Sequence, residues 1–422
     1  MVKSAVTKIL IFITAAAIMA AALVVVALIP KSAIRQQMLE SAQHLASEDM
    51  YDLTVPDVVA SCTDHYSDSI LLNIIYCYDS SRPASSVMNS AYYHDPVLEE
   101  NENFLEAVTS DREPNLQYLR YWHGSALLLR PLLTLIPVQK IYILNAVIIA
   151  VLAAALITQL IRAGHKLLAL AFSVSMVMVR IWFVPFSLEY FWNFMIMFIA
   201  CIIAVRLAGC GSTGKITSFF LLTGMVTNFL DFLTTETITL LMPLLIIVSI
   251  RNKNREKIKD QAVLSVRSAI SWLCGYAFMW MAKWALAAAV LRKTVLPLVT
   301  GHIVKRLGMN ADMNSFGYYI GAVTRNFSCL FPLGHGLWGI IGFGIIVLTG
   351  LYFGYVYRKP GHDRRAVLLY ASLALVPVIR YLVLHNHSYI HFFFTYRALA
   401  PTVLAAVLII GELMEGADGN EQ

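Results

Sequence analysis

The sequence predicts an all-α, polytopic membrane protein with about ten transmembrane helices and further re-entrant or interfacial helices beside them. Of the 422 residues 58% are hydrophobic and only 14% are charged, and the mean hydropathy is +0.67; this balance excludes a water-soluble enzyme. Apolar runs recur from Ile9 to Ile410. Unbroken stretches such as Ile141–Ile157 match the length that a helix needs to cross roughly 30 Å of hydrocarbon, and no period-two alternation suggests a barrel.

The first element is Ile9–Ile29, which follows Lys3 and Lys8 and is longer than the apolar core of a cleaved leader. It reads as an anchored first helix (1–30) with its N-terminus in the cytoplasm. Residues 31–140 then form an extracytoplasmic loop rich in Asp and Glu, with interfacial helices and turn clusters such as Asp79–Pro83. Within it, Gly124–Pro137, interrupted by Arg130-Pro131, is expected to enter the membrane surface without crossing. Residues 141–412 form the helix bundle, with spans at 141–161, 167–186, 188–207, 216–231, 236–250, 268–290, 337–357, 366–384 and 396–412, and 413–422 are a cytoplasmic tail. The run 216–250 is too long for one crossing and must fold back, most naturally at Asp231–Thr237. With this count the basic clusters at 162–166, 206–215, 251–259 and 358–365 all fall on the cytoplasmic side, as lysines and arginines that orient a membrane protein should. The net charge of +6 is explained in the same way and implies no nucleic-acid partner.

Ionisable groups inside spans are costly and tend to mark a cavity or pathway. Here Arg180, Glu189, Asp231, Glu236, Lys283, Arg380, His385, His387, His391 and Arg397 fall at one depth, the outer halves of spans and the short outer turns, where Arg180 is placed to pair with Asp231 or Glu189. A site working at one interface would collect them so, whereas a pump would string them through the full thickness. The loop adds Asp64 and Asp68, the latter placed to N-cap the run Ser69–Tyr76, and Arg120-Tyr-Trp-His123 before the non-crossing piece.

One helix, a large outer loop with an Asp directly before a helix, and a His-containing motif leading into a broken apolar piece together resemble the GT-C superfamily of polyprenyl-phosphate-sugar-dependent glycosyltransferases. Thr63–Asn73, Tyr121–Gly124, Asp231–Thr234, Gly275–Trp284 and His387–Arg397 look like those of an uncharacterised bacterial membrane family with that layout. The resemblance implies an integral cell-membrane enzyme that moves a sugar from a polyprenyl-phosphate donor to an envelope glycan or lipid acceptor outside the membrane. It makes Asp68 the leading catalytic base with Asp64 beside it. The donor phosphate would fall to Lys283, Arg380 and Arg397, with His123, His387 and His391, while Glu189, Asp231 and Glu236 are further site candidates. Where the family carries adjacent acids this chain has Asp68-Ser69, which leaves a divalent cation open. The rival readings are a transporter or flippase of a lipid-linked or small polar substrate, and a glycan polymerase or ligase of another fold.

Two weaker patterns complete the reading. Gly209–Lys215 matches the start of a phosphate-binding loop but lacks the following Ser or Thr and a preceding strand, so it reads as a turn. Cys62 and Cys77 flank both loop aspartates and, on an oxidising side, are candidates for a disulfide.

Overall fold

The computed structural model describes residues 2–294, 316–331, 336–359 and 363–415. Helix α1 (Val2–Ala27) leads into a loop region with α2 (Lys31–Ala46), α3 (His65–Tyr76), α4 (Pro83–Asn89), α5 (Glu100–Thr109) and α6 (Ala126–Leu132). Then come α7 (Val138–Arg162), α8 (Lys166–Met178), α9 (Leu188–Ala208), α10 (Thr213–Leu230), α11 (Ile238–Lys253) and α12 (Ile258–Leu291). The chain closes with α13 (Phe316–Ser328), α14 (Gly336–Val356), α15 (Arg364–Ala374), α16 (Val376–Val383), α17 (His385–Ile390), α18 (Phe392–Thr395) and α19 (Ala400–Glu415). The described residues hold no β-strand, only isolated bridges at Leu53–Cys62 and Tyr92–Leu116.

Among the described residues six stretches are long and apolar enough to cross a membrane: Ala5–Ala27, Val138–Arg162, Leu188–Ala208, Ile258–Leu291, Arg364–Val383 and Phe392–Met414. The chain is a helical membrane protein. Helix α7 shows why: Ile141, Tyr142, Asn145, Ile149, Leu156 and Leu160 form its buried face, while Ile143, Val147 and Val151 are exposed. Both faces are apolar, so the exposed one requires lipid. Helix α11 is different, buried from Ile238 to Val248, and forms the centre of the bundle.

The expected boundaries hold within about three residues for α7, α9, α10, α11 and α14, and the chain folds back at Asp231–Thr237 between α10 and α11. Elsewhere they shift for identifiable reasons. The span expected at 167–186 stops at Met178, because Arg180 takes a left-handed conformation (φ 50°) and the chain continues as a 3₁₀ turn, Ile181–Phe186. Helix α12 begins ten residues before the expected 268, since hydropathy dropped a polar first section with Lys259, Asp260 and Arg267 that is nonetheless helical. The expected span 366–384 divides at Leu375 ahead of Pro377, and 396–412 starts with a 3₁₀ turn before α19. Gly124–Pro137 contains only the seven-residue α6. Asp68 does not cap a helix starting at Ser69: α3 starts at His65, Asp64 is its N-cap, accepting from Ser67 N at 2.8 Å, and Asp68 lies in the first turn.

The basic connections gather at one end of the bundle, where Lys253 Nζ donates to Gly164 O, Asn252 donates to Glu412, and Arg251 donates to Ala208 O and Cys210 O. The loop region packs on the other end through buried cations. Arg130 donates to the carbonyls of Ile29, Ile75 and Tyr78, so it ties the end of α1 to the end of α3. Lys283 of α12 donates to Val87 O, Met88 O and Ser90 Oγ at the C-terminus of α4, where a cation suits the helix dipole.

Helices α10 and α12 touch backbone to backbone. Gly224 lies against the Trp272 carbonyl and Gly275 against the Leu221 carbonyl, each too close for a Cβ. Gly224→Ala should therefore force the pair apart and cost about 1–3 kcal/mol, typical of an overpacked core, read as a lower thermal midpoint in detergent. Ala substituted at the uncrowded Gly211 should not change it.

Candidate functional site

A cavity of about 400 Å³ opens where the loop meets the bundle. Asp64, Ser67 and Leu71 of the α3 segment form one wall, Arg120, Tyr121 and His123 another, and Glu189 with Phe232 closes the bundle side. His387 and His391 complete it from the broken helices α17 and α18. Tyr51, Tyr66, Tyr118 and Phe394 make much of the remaining surface aromatic.

The centre of the site is a pair of acids from two distant parts of the chain. The Asp64 and Glu189 carboxyls come within hydrogen-bonding reach of one another, and Ser67 N donates to Asp64 at 2.8 Å. A hydrogen bond between two carboxyls requires one proton shared between them. Burial raises the Asp64 carboxyl above the ordinary carboxylate range, opposed by the hydrogen bonds from Ser67 N–H, Glu189 and the Ser67 hydroxyl. Each acid is held where it is by its helix: Asp64 as the N-cap of α3, Glu189 in the first turn of α9.

Across the cavity Arg120 packs over the Tyr118 and Tyr121 rings and hydrogen-bonds the Tyr118 hydroxyl. Its carbonyl accepts from Trp280 Nε1 and, at 3.4 Å, from Trp284 Nε1, so α12 fixes the strand that carries it. His123 has a positive φ of 52° and a ring nitrogen, Nε2, 3.2 Å from Tyr118 O. Burial first, then the charge of Lys283, push its pKa down to about 3, leaving a neutral imidazole. With Nε2 as the donor, its buried Nδ1 presents a lone pair to which no group donates. The His387 and His391 rings lie 4.8 Å apart, and His391 stacks on Phe394 at 5.2 Å.

The structure thus brings Asp64, His123, Glu189, His387 and His391 together and leaves the other expected residues outside the cavity. Asp68 sits behind the wall, fully buried, and accepts from Tyr142 OH at 2.6 Å, Leu188 N at 2.9 Å, Ser187 Oγ at 3.3 Å and Glu189 N at 3.3 Å. Burial pushes its carboxyl up to about 7 against the pull of the Tyr142 hydroxyl and the Leu188 N–H. Lys283 holds the end of α4, as described. Arg380 pairs side by side with Glu236 at 2.8 and 3.0 Å and donates to the carbonyls of Leu233 and Thr234. Asp231 is saturated by Asn193 Nδ2, Leu233 N, Thr234 N and Oγ1, and Tyr276 OH. These four groups brace the turn between α10 and α11 and the seat of α4. Arg397 is buried between the Tyr190 and Tyr396 rings, with Nη2 on Ala60 O at 3.1 Å and no hydrogen-bond partner for Nε or Nη1. Arg180 donates to Cys329 O and Phe331 O rather than to Asp231 or Glu189.

Sequence reasoning missed Arg120 as a site residue. Its signal was a loop cation flanked by Tyr118, Tyr121 and Trp122 beside a histidine, a pattern that also fits an interfacial aromatic belt. Among the described residues no group of three or more His, Cys, Asp or Glu is arranged to hold a metal ion. Cys62 and Cys77 are not bridged: all six cysteines are free thiols, and these two lie at opposite ends of α3, roughly 20 Å apart at 1.5 Å per residue, far beyond disulfide reach. Comparison of the chain with family models, with curated proteins and with solved structures yields no match.

Burial pushes the Cys62 and Cys77 thiols up to about 12. Alkylation of the denatured protein without reductant should add mass to both, and the folded protein should react slowly at pH 8. Recovery of a linked peptide pair would refute the free thiols.

Proposed function

We propose that this chain is an integral membrane glycosyltransferase of GT-C type, which moves a sugar from a polyprenyl-phosphate donor to a hydroxyl of an envelope glycan or lipid. The observation that supports the reading is the Asp64–Glu189 carboxyl pair facing Arg120, His387 and His391 across one cavity of about 400 Å³, within the roughly 300–1,000 Å³ range of small-ligand sites. In the reaction the ionised member of the pair takes the proton of the acceptor hydroxyl. The hydroxyl oxygen forms a new bond to the anomeric carbon, and the carbon–oxygen bond to the donor phosphate breaks with its electrons leaving on the phosphate. Arg120, with His387 and His391, faces the charge that develops there. Neutral His123 offers a lone pair to a sugar hydroxyl, and the tyrosine walls offer faces to the sugar ring.

In this reading the basic end of the bundle is cytoplasmic, the chain crosses about ten times, and the cavity lies at the outer headgroup level. Shorter helices such as α8 and the α10–α11 pair then cross as parts of a bundle whose outer half is broken open around the cavity. Val97→Cys and Lys257→Cys, both at exposed positions, in a chain freed of its own cysteines, test the sidedness. Val97→Cys should react with a membrane-impermeant maleimide on intact cells and Lys257→Cys only after lysis. The reverse pattern would remove the cavity from the outer leaflet and end the proposal in this form.

The chemistry is tested with the purified chain in nanodiscs and a synthetic polyprenyl-phosphate sugar. Asp64→Asn and Glu189→Gln should each lower kcat by about a hundredfold or more with little change in donor KM. Arg120→Lys, which keeps the charge but loses the planar fork, should raise donor KM by about tenfold, equivalent to 1.4 kcal/mol. Because the base must be ionised and burial raises Asp64, turnover should fall on acidification at a higher pH than an ordinary carboxylate would give. Near-normal turnover of Asp64→Asn would exclude the carboxyl pair as the base.

A further inference from the structure

Asp68 is a buried carboxylate outside the cavity, and its ligands come from two separate elements of the bundle. It stands on the loop helix α3, accepts the Tyr142 hydroxyl from α7, and accepts the Ser187 hydroxyl and the Leu188 and Glu189 N–H groups at the start of α9. The first N–H groups of a helix have no partner within it, and usually a side chain one to three residues upstream supplies one. For α9 the residue in that place is Ser187, and its side chain makes no cap hydrogen bond. The cap comes instead from Asp68, more than a hundred residues earlier, with a charge that suits the helix dipole.

The residue so capped is Glu189 itself. Its N–H is held by Asp68 from behind, while its side chain turns into the cavity to meet Asp64, one turn upstream of Asp68 on the same loop helix. Asp64 and Asp68 therefore grip the two sides of one residue of α9. A rigid body rotation of the loop helix would disturb both contacts together, and so would loss of either carboxyl.

We infer that Asp68 is a positioning residue, which caps α9 from the loop and thereby sets Glu189 against Asp64. The inference rests on the reading of that carboxyl pair as the base, but its geometry is testable without any reaction. Tyr142 serves the same purpose one step further out, since its hydroxyl orients the Asp68 carboxylate.

The experiment uses the full chain in nanodiscs. In the activity arm, Asp68→Asn should lower kcat by about thirtyfold with donor KM within about twofold, and Tyr142→Phe should do the same more weakly. Combined with Glu189→Gln, Asp68→Asn should add less than about threefold, because it acts through the residue already removed. Fully multiplicative effects would assign Asp68 to the general fold and overturn the inference. In the second arm, cysteines placed at 64 and 189, in a chain freed of its own, are joined by a short bis-methanethiosulfonate. The linked fraction should be high with Asp68 and fall at least about fivefold with Asn there, and fall measurably with Tyr142→Phe, a variant that keeps all packing volume. Unchanged linkage in both would overturn the inference even in an active enzyme. Reduced linkage in a chain that transfers no sugar would uphold the cap and discard the transferase reading alone.

Discussion

One carboxylate joins the water-exposed and lipid-exposed halves of this protein. Asp68 closes the open end of α9 from outside the bundle, and both sides of the contact need it. A helix that starts under a folded loop cannot turn its first N–H groups to water, and the loop helix needs a fixed seat if Asp64 is to meet a group of the bundle. In a medium where an unpaired polar group costs several kcal/mol, that cap fixes how the loop helix α3 meets the start of α9, as Lys283 fixes α4 on α12.

The same requirement explains two of the cations that the sequence offered as phosphate ligands. Lys283 and Arg380, like Arg130, point to carbonyls left open by helix ends or turns: the end of α4, the turn after α10, and, for Arg130, the ends of α1 and α3. A short helix ending inside protein leaves up to four carbonyls without partners, and long cationic side chains reach them well. Arg380 adds Glu236, and truncating either partner would strand a buried charge. The cavity keeps a cation of a different kind in Arg120, which packs over aromatic rings and hydrogen-bonds a phenol hydroxyl.

Helix positions were legible in the sequence, and partnership was not. Hydropathy located α7, α9 and the fold-back at Asp231, because each is fixed by local apolar runs or a single polar break. It misplaced the start of α12 and the division at Leu375, where helix formation and apolarity do not coincide. The candidate ionisable groups do lie near one end of the bundle, but which of them face a common space depends on rotation about each helix axis and on contacts between residues more than a hundred positions apart. Asp68 shows the limit: four residues separate it from Asp64, about one helical turn, yet one meets the cavity and the other meets a helix end. Its neighbours Leu188 and Glu189 are 120 and 121 positions away, and no local pattern announces them.

The cavity lies where the helices are least regular, and this too follows from backbone chemistry. Left-handed His123, the break after α10 at Phe232 and the short helices α17 and α18 line it. Each irregularity exposes backbone groups that a continuous helix would satisfy internally, and such backbone persists at membrane depth only when buried in protein or beside a polar cavity. Here Arg180, Arg380 and Asp231 satisfy the groups that face protein. Side chains that would otherwise point into lipid, such as His387 and Glu189, then have a polar space to enter. Breaking the helices at one end of the bundle is therefore what makes room for paired acids, imidazoles and a guanidinium together, while α7, α9 and α12 run on as long continuous helices.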